Sequence, residues 1–390
     1  MSSSTTAAAS VPSKNATAIA AAAMASKINA ARAYAQAQNV IAAKHFAAAM
    51  AGFIGLFAIF HWSRFLYSRY ASKTIKDSKI MKGQVSIARL TRHVLNHPAP
   101  YFKSIGHALV VIVYLLINVV VTVTGNIDWT SQIGIAKRCG WLAFSNIAFI
   151  TFLALKNTPL AYLTGFSYES LNPLHQAAGY TTVTYVFLHL ILESAYMSKF
   201  NELFVLTEQE QVYGIVAGCG MFIILVSAIC LRSIRYEIFY LIHIAMYAVI
   251  IVTAALHRSD ITKQALYAIL VAGAMWGSDR ILRACRVLWY SYDNRAIITP
   301  LPHGGTRIKL SRAPSRAIPG NHCFLWIPQI RLIETHPFTI VNCSPSSLEL
   351  VISAYDGFTN DLHNYALKNP GVTLRASVDE TEEFDTQAYH

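Results

Sequence analysis

Acidic residues are scarce in this chain. Its 390 residues carry 20 Asp and Glu against 32 Lys and Arg, and charged residues make up only 13% of the total. So little charge, beside 54% hydrophobic residues and a mean hydropathy of +0.39, argues against an ordinary soluble domain and places the chain among polytopic membrane proteins. The net charge of +12 does not point to a nucleic-acid partner, because most cations flank hydrophobic segments, where the positive-inside bias accounts for them. The six cysteines, Cys139, Cys219, Cys230, Cys285, Cys323 and Cys343, show no CxxC spacing, and four lie in or beside hydrophobic segments. Neither a zinc site nor a disulfide framework is indicated. Residues 1–43 contain no acid, are rich in Ala and Ser, and lack a compact apolar stretch. That argues against a cleaved secretory signal and leaves an organelle transit peptide or a loose, partly helical tail. Asn15-Ala16-Thr17 is a glycosylation sequon, of consequence only if this end lies outside the cytosol.

What the chain has in quantity is hydrophobic segments. Seven are expected, at 45–66, 105–125, 139–155, 173–197, 211–231, 236–257 and 263–282. Between the first and second, Arg69, Lys73, Lys76, Lys79, Lys82, Arg89 and Arg92 face a single Asp77, so this loop is expected in the cytoplasm. Alternation then puts the N-terminus and the acidic 198–210 loop outside, and Arg232, Arg235, Arg280, Arg283 and Arg286 inside. The domain reading is a tail over 1–44, an extra first span with its basic loop over 45–104, and a six-span core over 105–286.

Two of these segments share a spacing. His175 and His189 lie fourteen residues apart in one, and His243 and His257 fourteen residues apart in another. Fourteen residues fall about 40° short of four helical turns, so each pair points to nearly one face, about 21 Å apart along the axis. Two such helices side by side offer two stacked imidazole pairs, one towards each membrane surface. Lone histidines in apolar helices are usually hydrogen-bonded packing residues, and intramembrane histidines also mark ion or proton paths. Two pairs with one spacing fit bis-histidine ligation of two haems, since neutral imidazole is a strong axial ligand. His45, His61 and His107 have no partner at a repeated spacing and read as interfacial, while Asn118 and Asn146 read as interhelical hydrogen bonders.

From about Tyr292 the pattern changes to short alternating runs. AIITPLPHGGTRIKLS turns on Gly304-Gly305, and HCFLWIP, HPFTIV and LELVISAY follow. These read as strands of a small antiparallel β-domain on the cytoplasmic face.

The paired histidines, followed in order by PGNHCFLWIP (Pro319 to Pro328), HPFT (His336 to Thr339) and DGFT (Asp356 to Thr359), resemble the ferric reductase and NADPH oxidase superfamily, and most of all fungal ferric-chelate reductases. The likeness covers about 105–375. It implies an α-helical polytopic membrane protein of seven spans, a six-span haem core plus one extra span, followed by a partial antiparallel β flavin-binding domain over 292–375. It implies two haem b groups on His175, His189, His243 and His257, and FAD beside His336, Pro337, Phe338 and Thr339 and near Gly357, Phe358 and Thr359. His336 and Thr339 are expected nearest the cofactor. Pro337 fixes the backbone, Phe338 packs, and Thr339 offers its hydroxyl and N–H to the isoalloxazine edge. The implied activity is electron transfer from FAD through the haems to Fe(III) or Cu(II) chelates outside, in the plasma membrane, with a vacuolar or other organelle membrane left open. The family's NADPH-binding domain should follow, but after GVTLR the chain reads ASVDETEEFDTQAYH, with no Gly-x-Gly-x-x-Gly after a strand. Residues 376–390 are therefore expected to be an atypical tail, and these 390 residues to show little NADPH-driven activity. A truncated haem-binding protein and a superoxide-forming relative are the alternatives. No residue is assigned a catalytic role of its own.

Overall fold

The computed structural model describes residues 14–380 apart from 73, 75–77, 126–128, 130, 167, 258–262, 315–316, 333 and 345. The structure begins with one long helix, α1 (Lys14–Tyr70). The sequence had suggested a loose tail ending at 44 and a span over 45–66. No Gly or Pro interrupts the Ala-rich run from Lys14 until Gly52, and alanine carries the highest helix propensity, so the helix runs through the expected boundary. The helices that follow are α2 (Lys79–Leu95), α3 (Ile105–Val123), α4 (Gln132–Ala154), the short α5 (Pro159–Thr164), α6 (Tyr168–Lys199), α7 (Gln209–Cys230), α8 (Tyr236–Leu256) and α9 (Gln264–Ser291).

Five helices among the described residues are long and apolar enough to cross a membrane: Ala21–Tyr70 within α1, and α3, α7, α8 and α9. This is a multi-pass membrane protein. The other two expected segments form helices of sufficient length, but Lys137 and Arg138 in α4, and Glu193, Lys199 and two histidines in α6, lower their hydropathy. The last helix continues to Ser291, beyond the expected end at 282. Residues 283–291 contain no helix breaker.

The chain divides into two compact units. The first comprises residues 1–51, 110–148 and 178–270. Its apolar centre is Ile147, Val183, Met221, Ile250 and Ile269, contributed by α4, α6, α7, α8 and α9. Several polar side chains inside it pair with one another, as a low-dielectric interior favours. Asn146 donates to Asn118 Oδ1 at 2.9 Å, and Tyr114 donates to Asn146 Oδ1, so the two asparagines do bridge helices. The part of α1 once read as tail is also built in. Gln36, Asn39, Val40, Phe46 and Met50 are buried at helical spacing. Trp141 Nε1 donates to Gln36, and the buried Arg138 donates from Nε to Asn39 Oδ1 at 2.8 Å and from Nη1 to the Val121 and Thr124 carbonyls. A hydrogen bond to a charged group is worth about 1.5–3 kcal/mol. Asn39→Ala is therefore expected to cost about 2 kcal/mol and to expose residues 14–50 to protease. Unchanged melting and digestion would show that this end of α1 is not docked through Arg138.

The second unit comprises 52–109, 149–177 and 271–390. Its centre is a seven-stranded, all-antiparallel sheet of β1 (Arg295–Leu301), β2 (Gly305–Leu310), β3 (His322–Trp326), β4 (His336–Ser344), β5 (Ser347–Ser353), β6 (Thr373–Arg375) and β7 (Ser377–Glu380), with α10 (Phe358–Lys368) before β6. The strand order is β6-β1-β2-β5-β4-β3-β7. The two edge strands are separated in sequence by Ala376 alone. The sheet must therefore roll until its edges meet, forming a barrel. Alternate residues fill the interior, among them Ile298, Ile308, Leu325, Ile340 and Leu350, with Phe358, Leu362 and Ala366 of α10 packed on them. Residues 377–380, expected to begin an atypical tail, pair with β3 instead. Their composition gives little strand propensity, and the waiting edge of β3 overrides it. Residues 1–13 and 381–390, at the two ends of the chain, lie outside the described residues.

The rest of this unit holds the sheet in place. Asn157 donates from its backbone and side-chain nitrogens to the buried Asp279 at 3.0 and 2.9 Å. Ser377 donates to the Val287 carbonyl at 2.7 Å, tying β7 to the end of α9.

Candidate functional site

In the first unit α6 brings His189, and the C-cap of α8 brings His257, to face each other with ring centroids 6.2 Å apart. A metal held between two imidazoles by bonds of about 2.0 Å needs centroids about 6 Å apart. The hydrogen bonds decide which nitrogens are available. His189 Nδ1 is 2.9 Å from the Ala136 carbonyl and His257 Nδ1 is 2.8 Å from the Glu210 carbonyl. A carbonyl only accepts, so both Nδ1 atoms carry the proton and both Nε2 atoms keep a lone pair. This is the outer bond that fixes a ligating histidine's tautomer.

Two glycines make room for the rings. A Cβ on Gly214 would come within 2.7 Å of the His257 ring, and one on Gly140 within 3.1 Å of the His189 ring. The cavity at these histidines has mostly apolar walls, including Phe144, Val186, Met221 and Ile250. Glu193, one turn beyond His189, is its carboxylate. Among the described residues no cluster of three or more His, Cys, Asp or Glu is arranged to hold a metal ion. A facing pair of imidazoles in an apolar cavity suits a metal that brings its own equatorial ligands, as in a haem. The residues present fit that group.

The other expected pair is divided between the units, His175 in the second and His243 in the first. Both are half-buried. His243 packs on Phe239, one turn earlier on α8, with centroids 5.4 Å apart.

The flavin-motif residues converge in the second unit. Along β4 the even positions turn inward and the odd positions outward, so Pro337 and Thr339 are exposed. Register pairs Thr339 with His322 and Pro337 with Phe324 on β3, giving an outer face of those four residues. Lys156, just after α4, places its ammonium 3.6 Å from the Phe324 ring centroid, a cation–π contact that brings positive charge to this face. His336, expected beside the cofactor, stacks on Phe358 with centroids 4.4 Å apart, and Phe338 lies 6.1 Å from the same ring. HPFT and DGFT thus meet through Phe358. Gly357 has φ +74° and ψ −135° at the start of α10, a conformation open to glycine and strained for other residues. Thr359 Oγ1 accepts from the Tyr355 N–H and closes this turn. A bulge between Ile340 and Asn342 follows the motif and re-aims the strand.

The sequence reading missed Gly140, Gly214, Glu193 and Lys156. Glycine in the middle of an apolar helix, where it is costly, was the one signal available for the first two.

Two family descriptions match consecutive parts of the chain. "Ferric reductase like transmembrane component" covers residues 139–254, which include three of the four histidines and both glycines. "FAD-binding domain" covers 297–386, which include HPFT and DGFT. The chain is a relative of the ferric reductases. The "Probable cell surface ferric reductase kap2" of Aspergillus oryzae is 25% identical over 67% of this chain and 39% of its own length. The "Ferric/cupric reductase transmembrane component 2" of Schizosaccharomyces pombe is 26% identical over 62% of this chain and 43% of its own. The "Ferric reductase transmembrane component 4" of Saccharomyces cerevisiae is 26% identical over 63% and 35%. This ferric reductase relative spans about two fifths of the length of the curated relatives it matches.

Proposed function

We propose that this chain is a transmembrane oxidoreductase that carries electrons from FAD on its β-barrel to Fe(III) or Cu(II) chelates across the membrane, a ferric-chelate reductase. His189 and His257 hold one haem, and His175 and His243 a second. All seven hydrophobic segments span the bilayer, with the N-terminus outside and the barrel in the cytoplasm, and the plasma membrane is the membrane concerned. The observation that carries this reading is the His189–His257 pair. Its Nδ1 protons are committed to carbonyls, and its rings stand one bis-imidazole distance apart. When bound, the haems would supply one-electron relays and the flavin the step from two electrons to one.

The protein's own part is placement. The Ala136 and Glu210 carbonyls hold the imidazoles in one tautomer and raise their basicity. Phe144, Val186, Met221 and Ile250 keep the surroundings dry. Thr339 offers an exposed hydroxyl on the face shared with Phe324 and Lys156.

Purified protein is expected to show a low-spin bis-imidazole spectrum with two haems per chain. One haem, or a high-spin spectrum, would contradict the ligand assignment. Thr339→Val keeps the shape and removes the hydroxyl, so it is expected to weaken FAD retention about tenfold, the scale of one good hydrogen bond, with the haem spectrum unchanged. Equal flavin content in both proteins would exclude Thr339 as a contact.

A further inference from the structure

We infer that α2 (Lys79–Leu95) is an in-plane helix that binds the acidic phospholipid headgroups of the bilayer that α1 and α3 cross. The helix has two faces. Ile80, Ile87, Leu90 and Val94 recur at helical spacing on one, Lys82, Arg89 and Arg92 lie on the other beside Met81 and Val85, and Lys79 falls at the edge next to Leu90. It contains no acid. No described residue covers the apolar face, where Ile80 is 76%, Ile87 67% and Leu90 66% exposed, and no described residue of the helix is buried. An isolated apolar stripe of this kind in water would be a liability. Flanked by four cations, it matches a bilayer's acyl boundary below and its anionic headgroups beside it.

The chain also keeps α2 near the bilayer. It is joined to the membrane-crossing α1 through residues 71–78 and to α3 through 96–104. Its C-terminal end abuts the start of α3, since a Cβ on Gly106 would lie 3.2 Å from the Leu95 carbonyl. The intervening turn is closed by Ile105 N–H donating to the His97 carbonyl at 2.9 Å. Ser78 caps the other end, its hydroxyl accepting from the Met81 N–H. A capped, leashed helix with a basic rim and a bare apolar face at the mouth of two spans has the bilayer as its natural occupant.

The test is hydrogen exchange of the α2 amides in the full-length protein. It would be reconstituted in discs of phosphatidylcholine alone and in discs containing phosphatidylserine. Exchange is expected to slow about tenfold or more when the anionic lipid is present. High salt should reverse it. Replacing Lys79, Lys82, Arg89 and Arg92 together by Gln should abolish the lipid dependence, and Ile87→Glu should abolish the protection itself. Equal exchange in both disc types would overturn the inference. So would an anionic-lipid effect that persists when the four cations are replaced by Gln.

Discussion

His257→Ala and His189→Ala are each expected to remove one haem of two and to lower ferric-chelate reduction more than about a hundredfold. Changing a partner of a ligating histidine typically costs ten- to a hundredfold in affinity, and losing the ligand itself costs at least the upper end of that range. His189 and His257 face each other at 6.2 Å with both Nδ1 atoms tied to carbonyls, which leaves both Nε2 atoms free to ligate. The remaining haem should keep its own low-spin spectrum, since His175 and His243 lie about 21 Å along their helices from the altered pair. Haem content by pyridine haemochrome and the reduced difference spectrum check this. Two haems retained in both variants would sink the assignment.

Gly214→Ala is expected to cost nearly as much, through a single methyl group. The added Cβ would stand 2.7 Å from His257 Cε1 and Nδ1, closer than such atoms approach, so the imidazole must swing away and give up its bond to the Glu210 carbonyl. The same change gains up to about 1 kcal/mol of helix propensity in α7. Fold stability and haem retention should therefore move in opposite directions, or the first not at all. A loss of ten- to a hundredfold in affinity for one haem, with melting little changed, is the expected outcome. Gly140→Ala should be milder, because its nearest contact would be 3.1 Å and a small shift of His189 relieves it. If both variants bind haem as the parent does, the glycines are not what makes room for the rings.

Much of this was legible in the sequence, for physical reasons. Helical period is rigid, so a repeated fourteen-residue spacing carries a direction and a distance, enough to set His189 against His257. Alternation in LELVISAY and HCFLWIP likewise gave strands, and Leu348, Leu350 and Ile352 turn inward. What stayed hidden depends on contacts between distant residues. Alanine-rich composition fits a loose tail or a docked helix equally, and only Asn39 meeting Arg138 and Gln36 meeting Trp141 decide for the second. Residues 377–380 are acidic and look like a tail, yet β3 offers an open edge. Lys156 meets Phe324 from 168 positions away, and no local pattern announces it. Strand alternation sends Pro337 and Thr339 outward and turns His336 onto Phe358, a contact between two motifs that neither motif alone announces.

The central claim, that this chain passes electrons across a membrane to a ferric chelate through histidine-held haems, is tested most directly in sealed proteoliposomes. The vesicles would contain Fe(III) chelate and a chromogenic Fe(II) indicator, and a membrane-impermeant reductant would be added outside. The account predicts Fe(II) formation inside vesicles carrying the parent protein, and its loss in vesicles carrying His189→Ala at equal protein content. Haem-loaded parent protein that forms Fe(II) no faster than His189→Ala, or than empty vesicles, would contradict it.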